Sequence, residues 1–331
     1  MNRVSGFLVG ALAAGVACAA DVIKVGMIGL DTSHCLAFAK LLNAETPLPE
    51  YAGFRMVAVY PQGSRDIASS TNRVPGYLEK IKPFGVEIVD TIDKVIQKSD
   101  VILLESNDGR VHLEQALPVF KSGKRVFIDK PVAGSLAHVV ALFDAAKRYN
   151  APMFSCSSLR YTVKAQEVRG GKHGAVLGAQ SYSPCSLEPT HPDLFWYGIH
   201  GVEMLYALMG TGCETVVRVS TPGTDVAVGT WKDGRVGSFR GNRASSSGYG
   251  ADAFLAKGTL RIDDYKSYDM MLAEIVKFFK TGVVPIAPEE TIELFAFMEA
   301  ADESKRRGGV PVSVAEVLAK AKAEADKIPL K

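Results

Sequence analysis

Two side chains suited to moving protons stand in short motifs, Ile128-Asp129-Lys130-Pro131 and Gly198-Ile199-His200-Gly201-Val202-Glu203. A lysine ammonium can polarise a hydroxyl or carbonyl oxygen. A neutral imidazole can take the proton from that hydroxyl. A third stretch, Gly29-Leu30-Asp31-Thr32-Ser33-His34, follows a β-branched run and keeps one glycine of the G-x-G-x-x-G phosphate turn. Asp31 stands where backbone would approach a pyrophosphate. Two like charges at about 4 Å repel by about 1 kcal/mol in water and about 4 kcal/mol near a protein surface. Asp31 is therefore expected to cap the next helix, accepting from the amides of Ser33 or His34. Thr32, Ser33 and the helix N–H groups remain able to hold phosphate. After the second strand, Gly63-Ser64-Arg65 stands in place of the acid that binds the ribose 2′-hydroxyl of NAD, which tilts the cofactor from NAD toward NADP.

Such residues need elements to hold them in place. Apolar runs predict strands over 22–28, 54–60, 86–89, 101–104, 125–128 and 153–156. Helical patterns over 34–43, 91–98, 112–121 and 137–149 alternate with them. That alternation predicts a doubly wound parallel sheet, a Rossmann domain over 21–150. The C-terminal ends of its strands would line the ligand crevice, and both Gly29 and Lys130 fall there. Over 151–331 the pattern changes to short strands at 176–182, 216–220, 225–231, 235–240 and 258–263, broken by glycine-rich turns, with helices at 163–169 and 200–209. This predicts an α/β domain with a large, open, mostly antiparallel sheet. Asp233-Gly234 marks a hairpin. Helices over 268–280 and 288–307 follow, and the last helices are candidates to pack back on the first domain.

Together these motifs resemble the Gfo/Idh/MocA oxidoreductases. Asp129-Lys130-Pro131 matches that family's E-K-P motif conservatively, and Ser106-Asn107 with His112 echoes its TPN-x-x-H pattern. Arg160-Tyr161 matches an Arg-aromatic pair, and the His200 stretch matches G-x-H-x-x-D, with Gly210 closing the helix. Gly282, Pro285, Glu289, Glu290, Ala300, Ala301, Ser304 and Gly308 continue the likeness through the C-terminal stretch, so it spans nearly the whole mature chain. The resemblance implies that Lys130 and His200 are the catalytic pair. It implies cofactor contacts from Gly29, Asp31, Thr32, Ser33, His34, Ser106, Asn107, His112, Asp129 and Lys130, beside the Gly63-Ser64-Arg65 loop. Many members carry an Asp four residues before the His; here Trp196 stands in that place. His191, Asp193, Tyr197 and Glu203 are the polar residues nearby, and Trp196 with Tyr197 could stack on the apolar face of a sugar ring. Arg160, His191, Trp196, Tyr197 and Glu203 are thus the substrate candidates. A homo-oligomer is implied by the family's open sheet.

The balance of charge narrows the partners. Lys plus Arg number 38 and Asp plus Glu 36, without the basic excess that nucleic acid or an anionic membrane would need. Arg3, an apolar run over 7–16 and Ala17-Cys18-Ala19-Ala20 read as a secretory signal over 1–20, too short to span a bilayer. This predicts an exported, periplasmic chain with no membrane span in its mature form, with a lipoprotein through Cys18 as the minor alternative. Cys35, Cys156, Cys185 and Cys213 are widely spaced and form no C-x-x-C pair, so buried thiols are expected and no metal ligand set is read. The leading function is an NAD(P)-dependent oxidoreductase acting on a hydroxyl of a sugar, cyclitol or glycoside. The alternatives are NAD-dependent glycoside cleavage and an exported carbohydrate-binding protein without redox chemistry. Export adds weight to the last, because free NAD(P) is scarce outside the cytoplasm.

Overall fold

The computed structural model describes residues 22–244 and 248–330. The signal reading of 1–20, Cys18 included, lies outside the described residues. Strands β1 (Ile23–Ile28), β2 (Phe54–Tyr60), β3 (Glu87–Ile88), β4 (Val101–Leu104), β5 (Val126–Ile128) and β6 (Met153–Phe154) form one sheet in the order β3-β2-β1-β4-β5-β6. Every pair in it is parallel. The doubly wound expectation holds. The chain order reverses at β1, which pairs with both β2 and β4, so a crevice opens beyond their C-terminal ends. Val101, Ile102, Leu103 and Leu104 are all buried, as strands covered on both faces require.

The helix Ser33–Leu42 leaves the crevice directly after β1. It buries His34, Cys35, Phe38, Ala39 and Leu42, a stripe at helical spacing. Asn43 ends it and ties the end down. Its side-chain amide donates to the Met56 and Phe84 carbonyls at 2.8 and 2.9 Å, and its carbonyl oxygen accepts from the Met56 amide at 2.8 Å. The C-terminal end of the helix is thereby held against the sheet.

Strands β7 (Val176–Pro184), β8 (Cys213–Thr221), β9 (Thr224–Trp231), β10 (Val236–Asn242), β11 (Gly250–Leu255), β12 (Gly258–Ile262) and β13 (Val312–Ser313) form the second sheet, in the order β12-β11-β7-β10-β9-β8-β13. It is antiparallel except between β7 and β10. The Asp233-Gly234 hairpin forms, with Gly234 at a φ of 84°. β11 was not legible in the sequence: Gly250-Ala251-Asp252-Ala253 has no β-branched residue, and partners on both sides hold it in place. Helices Ile199–Met209 and Pro288–Arg306 cover the inner face. On the other face Val219, Val236 and Phe254 are 65%, 50% and 41% exposed.

The two sheets are tied together. The helix Asp269–Thr281 follows the second sheet but buries Met271, Leu272, Ile275 and Phe278 in one core with Val25, Phe38 and Phe154 of the first domain. The four cysteines are buried and free. Among the described residues no helix is long and apolar enough to cross a membrane.

Candidate functional site

A cavity of about 420 Å³ lies between the two sheets. The turn after β1 brings Thr32, Ser33 and His34 to it, the end of β4 brings Asn107, and the end of β5 brings Asp129 and Lys130. The opposite wall is Trp196, Tyr197 and His200. The ammonium of Lys130 lies 5.6 Å from the Tyr197 ring centroid and 6.0 Å from that of Trp196. Those aromatic faces attract a cation and keep the lysine pointed into the cavity.

His200 sits one ring away, its centroid 4.9 Å from that of Tyr197. Its Nδ1 lies 2.8 Å from the Ser157 hydroxyl. Burial, and then the charge of Lys130, hold the imidazole well below its usual pKa. It is therefore neutral at pH 7. If Nδ1–H donates to Ser157, the lone pair on Nε2 is free to take a proton. Ser157, absent from the sequence reading, thus fills the orienting place that Trp196 left empty. Its position next to a turn gave no signal of that role.

Several expected contacts take other places. Gly29 shapes the turn: it has a φ of 89°, and a Cβ there would meet the Ser106 amide nitrogen at 2.4 Å. Asp31 is not a helix cap. Its carboxylate accepts from the Ser64 amide at 3.1 Å and the Asn107 amide at 2.9 Å, tying the loops after β2 and β4 to the turn after β1. Burial pushes its carboxyl pKa up, against those two amides. The helix cap is Thr32, whose side chain makes no capping bond. Thr32, Ser33 and His34 line the cavity, so the helix N-terminus opens at it without a side-chain cap. Gly63 and Ser64 pack behind Asp31, since a Cβ on Gly63 would meet the Asp31 Oδ2 at 2.3 Å and Ser64 bonds Asp108 at 3.1 Å. Arg65 pairs with Glu114 at the surface, 2.8 Å away. The guanidinium on the cavity wall is that of Arg73, beside Ser69 and Tyr77.

Ser106 donates to Gln115 at 2.6 Å, and the two ring nitrogens of His112 face the Ser106 and Val132 carbonyls. Neither lines the cavity. His191 packs under Trp196, ring centroids 5.0 Å apart, with its Nε2 3.4 Å from Asp108. Arg160 and Glu203 are buried together and pair with each other, and Arg160 also reaches Glu290 at 2.6 Å. These three support the wall and do not form it. Of the substrate candidates, Trp196 and Tyr197 reach the cavity. Tyr249, Tyr265 and Tyr268 join them from the residue before β11, the segment after β12 and the start of the next helix.

These residues fit the phosphate and ribose groups of a nicotinamide dinucleotide. An open helix N-terminus, Ser33 and Arg73 can meet anionic oxygens, Asn107 stands near Arg73 through Asp31, and Lys130 lines the same cavity. The carboxylate that could have prevented this, Asp31, is turned onto loop amides and fully buried.

The floor of the cavity holds a cluster the sequence did not reveal. His34 Nδ1 lies 3.3 Å from Glu105 Oε2 and 3.3 Å from Asp129 Oδ1. Burial works against a charge on His34, but the Asp129 and Glu105 carboxylates overcome it and push its pKa up to about 10. Burial pushes Glu105 up as well. Glu105 follows β4 directly and sits against residues 24 and 71 positions away in the chain, which no local spacing encodes.

Residues 23–155 match the family model described as "Oxidoreductase family, NAD-binding Rossmann fold", GFO_IDH_MocA. No curated protein sequence matches the chain. Among solved structures, a probable dehydrogenase from Thermotoga maritima is 19% identical, with a TM-score of 0.71, over 89% of this chain and 100% of that one. The scyllo-inositol dehydrogenase of Lactobacillus casei, solved with NAD(H) and scyllo-inositol, is 17% identical, with a TM-score of 0.69 and coverage of 89% and 100%. At these identities the likeness is one of fold.

Proposed function

We propose, from the premise that residues 23–155 belong to the GFO_IDH_MocA oxidoreductase family, that this chain is an NAD(P)-dependent oxidoreductase acting on a hydroxyl of a small polyol such as a sugar or cyclitol. One observation carries the reading. A lysine at a parallel strand's end and a neutral, oriented histidine share one cavity with an open helix N-terminus. Thr32, Ser33, Arg73 and Asn107 are the side chains for the dinucleotide. The chemistry supplied by a bound nicotinamide is acceptance of a hydride from the substrate carbon.

This chain's own groups do the rest. Lys130 donates a hydrogen bond to the reacting oxygen and stabilises the negative charge that grows on it. His200 takes the hydroxyl proton at Nε2, while Ser157 fixes its ring through Nδ1. Trp196, Tyr197 and Tyr249 wall the cavity and exclude water, and their faces suit the C–H face of a polyol ring. Arg73 supports NADP over NAD, because a 2′-phosphate on the cavity wall would meet its guanidinium. The exposed Val219, Val236 and Phe254 support a homo-oligomer closed over the open sheet face.

The test is direct. The purified protein is denatured and assayed for released nicotinamide nucleotide, then titrated with NAD and NADP. Binding of either, with turnover lost in Lys130→Ala and His200→Ala, is expected. No nucleotide and no measurable affinity for either cofactor would remove the reading and leave a carbohydrate-binding protein on this fold.

A further inference from the structure

The buried groups around His34 have more charge and more unmet bonding capacity than the protein supplies partners for. His34 is 5% exposed, and Glu105 and Asp129 are 0% exposed. Yet His34 Nδ1, both Glu105 oxygens and both Asp129 oxygens have no hydrogen-bond partner. Buried polar groups without partners cost free energy, and they rarely occur together. His34 has at most one positive charge to set against two carboxylates. Lys130 is the next cation, and its ammonium faces the Trp196 and Tyr197 rings.

The spacing of these atoms fits a shared ion. A hydrogen bond would draw these atoms to about 2.9 Å. The two His34 contacts are both 3.3 Å. Ligand atoms bound tetrahedrally at about 2.1 Å from one ion lie about 3.4 Å apart. One ligand atom from each of the three residues lies within 4.8 Å of the others. The set has an entrance too, because His34 and Asp129 line the cavity.

We propose that His34, Glu105 and Asp129 bind a divalent transition-metal cation at the floor of the cavity. An imidazole nitrogen with two carboxylates suits Zn²⁺, Mn²⁺ or Co²⁺, and two negative charges neutralise the ion. Three protein ligands leave a position open, and it faces the cavity. The set is also held firmly. The His34 ring packs at 4.3 Å against Tyr268 and 5.4 Å against Phe38, and Asp129 lies on a strand end. The inference does not rest on the redox reading, since an ion can bind here with or without a dinucleotide.

Equilibrium dialysis of the full protein against Co²⁺, with visible absorption, is the test. One ion per chain is expected, with visible bands of four- or five-coordinate cobalt. Glu105→Gln and His34→Gln should each weaken binding at least tenfold, and Glu167→Gln, in a surface pair with His173, should change nothing. Circular dichroism checks that each variant is folded. Should a variant fail to fold, electron spin echo spectra of the Mn²⁺-loaded wild type decide instead, through coupling to one imidazole nitrogen. Absence of stoichiometric binding, binding unaffected by folded Glu105→Gln and His34→Gln, or Mn²⁺ without nitrogen coupling overturns the proposal. In that case the cluster is an imidazolium held between two carboxylates.

Discussion

Two buried charge clusters in this molecule are built in opposite ways. Under the second sheet, Arg218 is 1% exposed and lies against three carboxylates. It bonds Asp225 at 2.7 Å and Asp193 at 2.9 Å, and it also pairs with Asp302. Arg243 takes the other side of Asp225, and Lys305 reaches Asp193 at 2.6 Å. Cations and anions balance there. At the cavity floor, His34 stands against Glu105 and Asp129, and five polar atoms go unmatched. Both clusters were brought inside by folding, and one is complete without anything added. The lesson is that buried charge alone does not mark a site. Buried charge whose bonding is unmet beside a cavity does.

Removing a charge should therefore act in opposite directions. Arg218→Met leaves three carboxylates without their common partner and should lower unfolding stability by about 3–5 kcal/mol. Urea melts measure this. Glu105→Gln in metal-free protein should leave stability unchanged or raise it by about 1 kcal/mol, because it removes one of two buried carboxylates that share a single imidazolium. A large loss there would mean that the cavity-floor cluster is as complete as the Arg218 one, and the contrast would fail.

A second contrast lies between the groups that touch the cavity and those that prop it. Arg160→Ala breaks the pair with Glu203 and should cost about 3 kcal/mol of stability or more. The dinucleotide affinity of the protein that remains folded should stay within about twofold. Arg73→Ala should weaken NADP binding about tenfold, NAD binding less, and leave the thermal midpoint nearly fixed. Fluorescence titration separates the two outcomes.

A further effect concerns pH. Burial lowers His191 to about 4. The unfolded chain then binds this proton first, so stability present above the unfolded pKa of about 6.5 is lost as pH falls toward 4. The His191 share is at most about 3 kcal/mol. His191→Gln should flatten the stability profile between pH 6.5 and 4, and an unchanged slope would show that the buried imidazole contributes nothing there.

How much of this could be read from the chain alone follows from where the contacts lie. The Rossmann order was legible because each strand carries its own apolar run and each helix its own stripe. Lys130 and His200 were legible because their motifs are local. Asp31 was not. A cap is the local choice for an acid before a helix, but its two amide donors lie 33 and 76 residues away. Arg160 and Glu203 looked like site residues for the same reason in reverse: their polarity was visible and their pairing across 43 residues was not. Glu105 drew no attention, since its meaning depends on His34 and Asp129 meeting it.

The most direct measurement is anomalous diffraction from crystals grown with Mn²⁺. The account predicts one anomalous peak at the cavity floor, about 2.0–2.2 Å from His34 Nδ1 and from an oxygen each of Glu105 and Asp129, and none at the Arg218 cluster. An empty floor with His34 unmoved between the two carboxylates would contradict it.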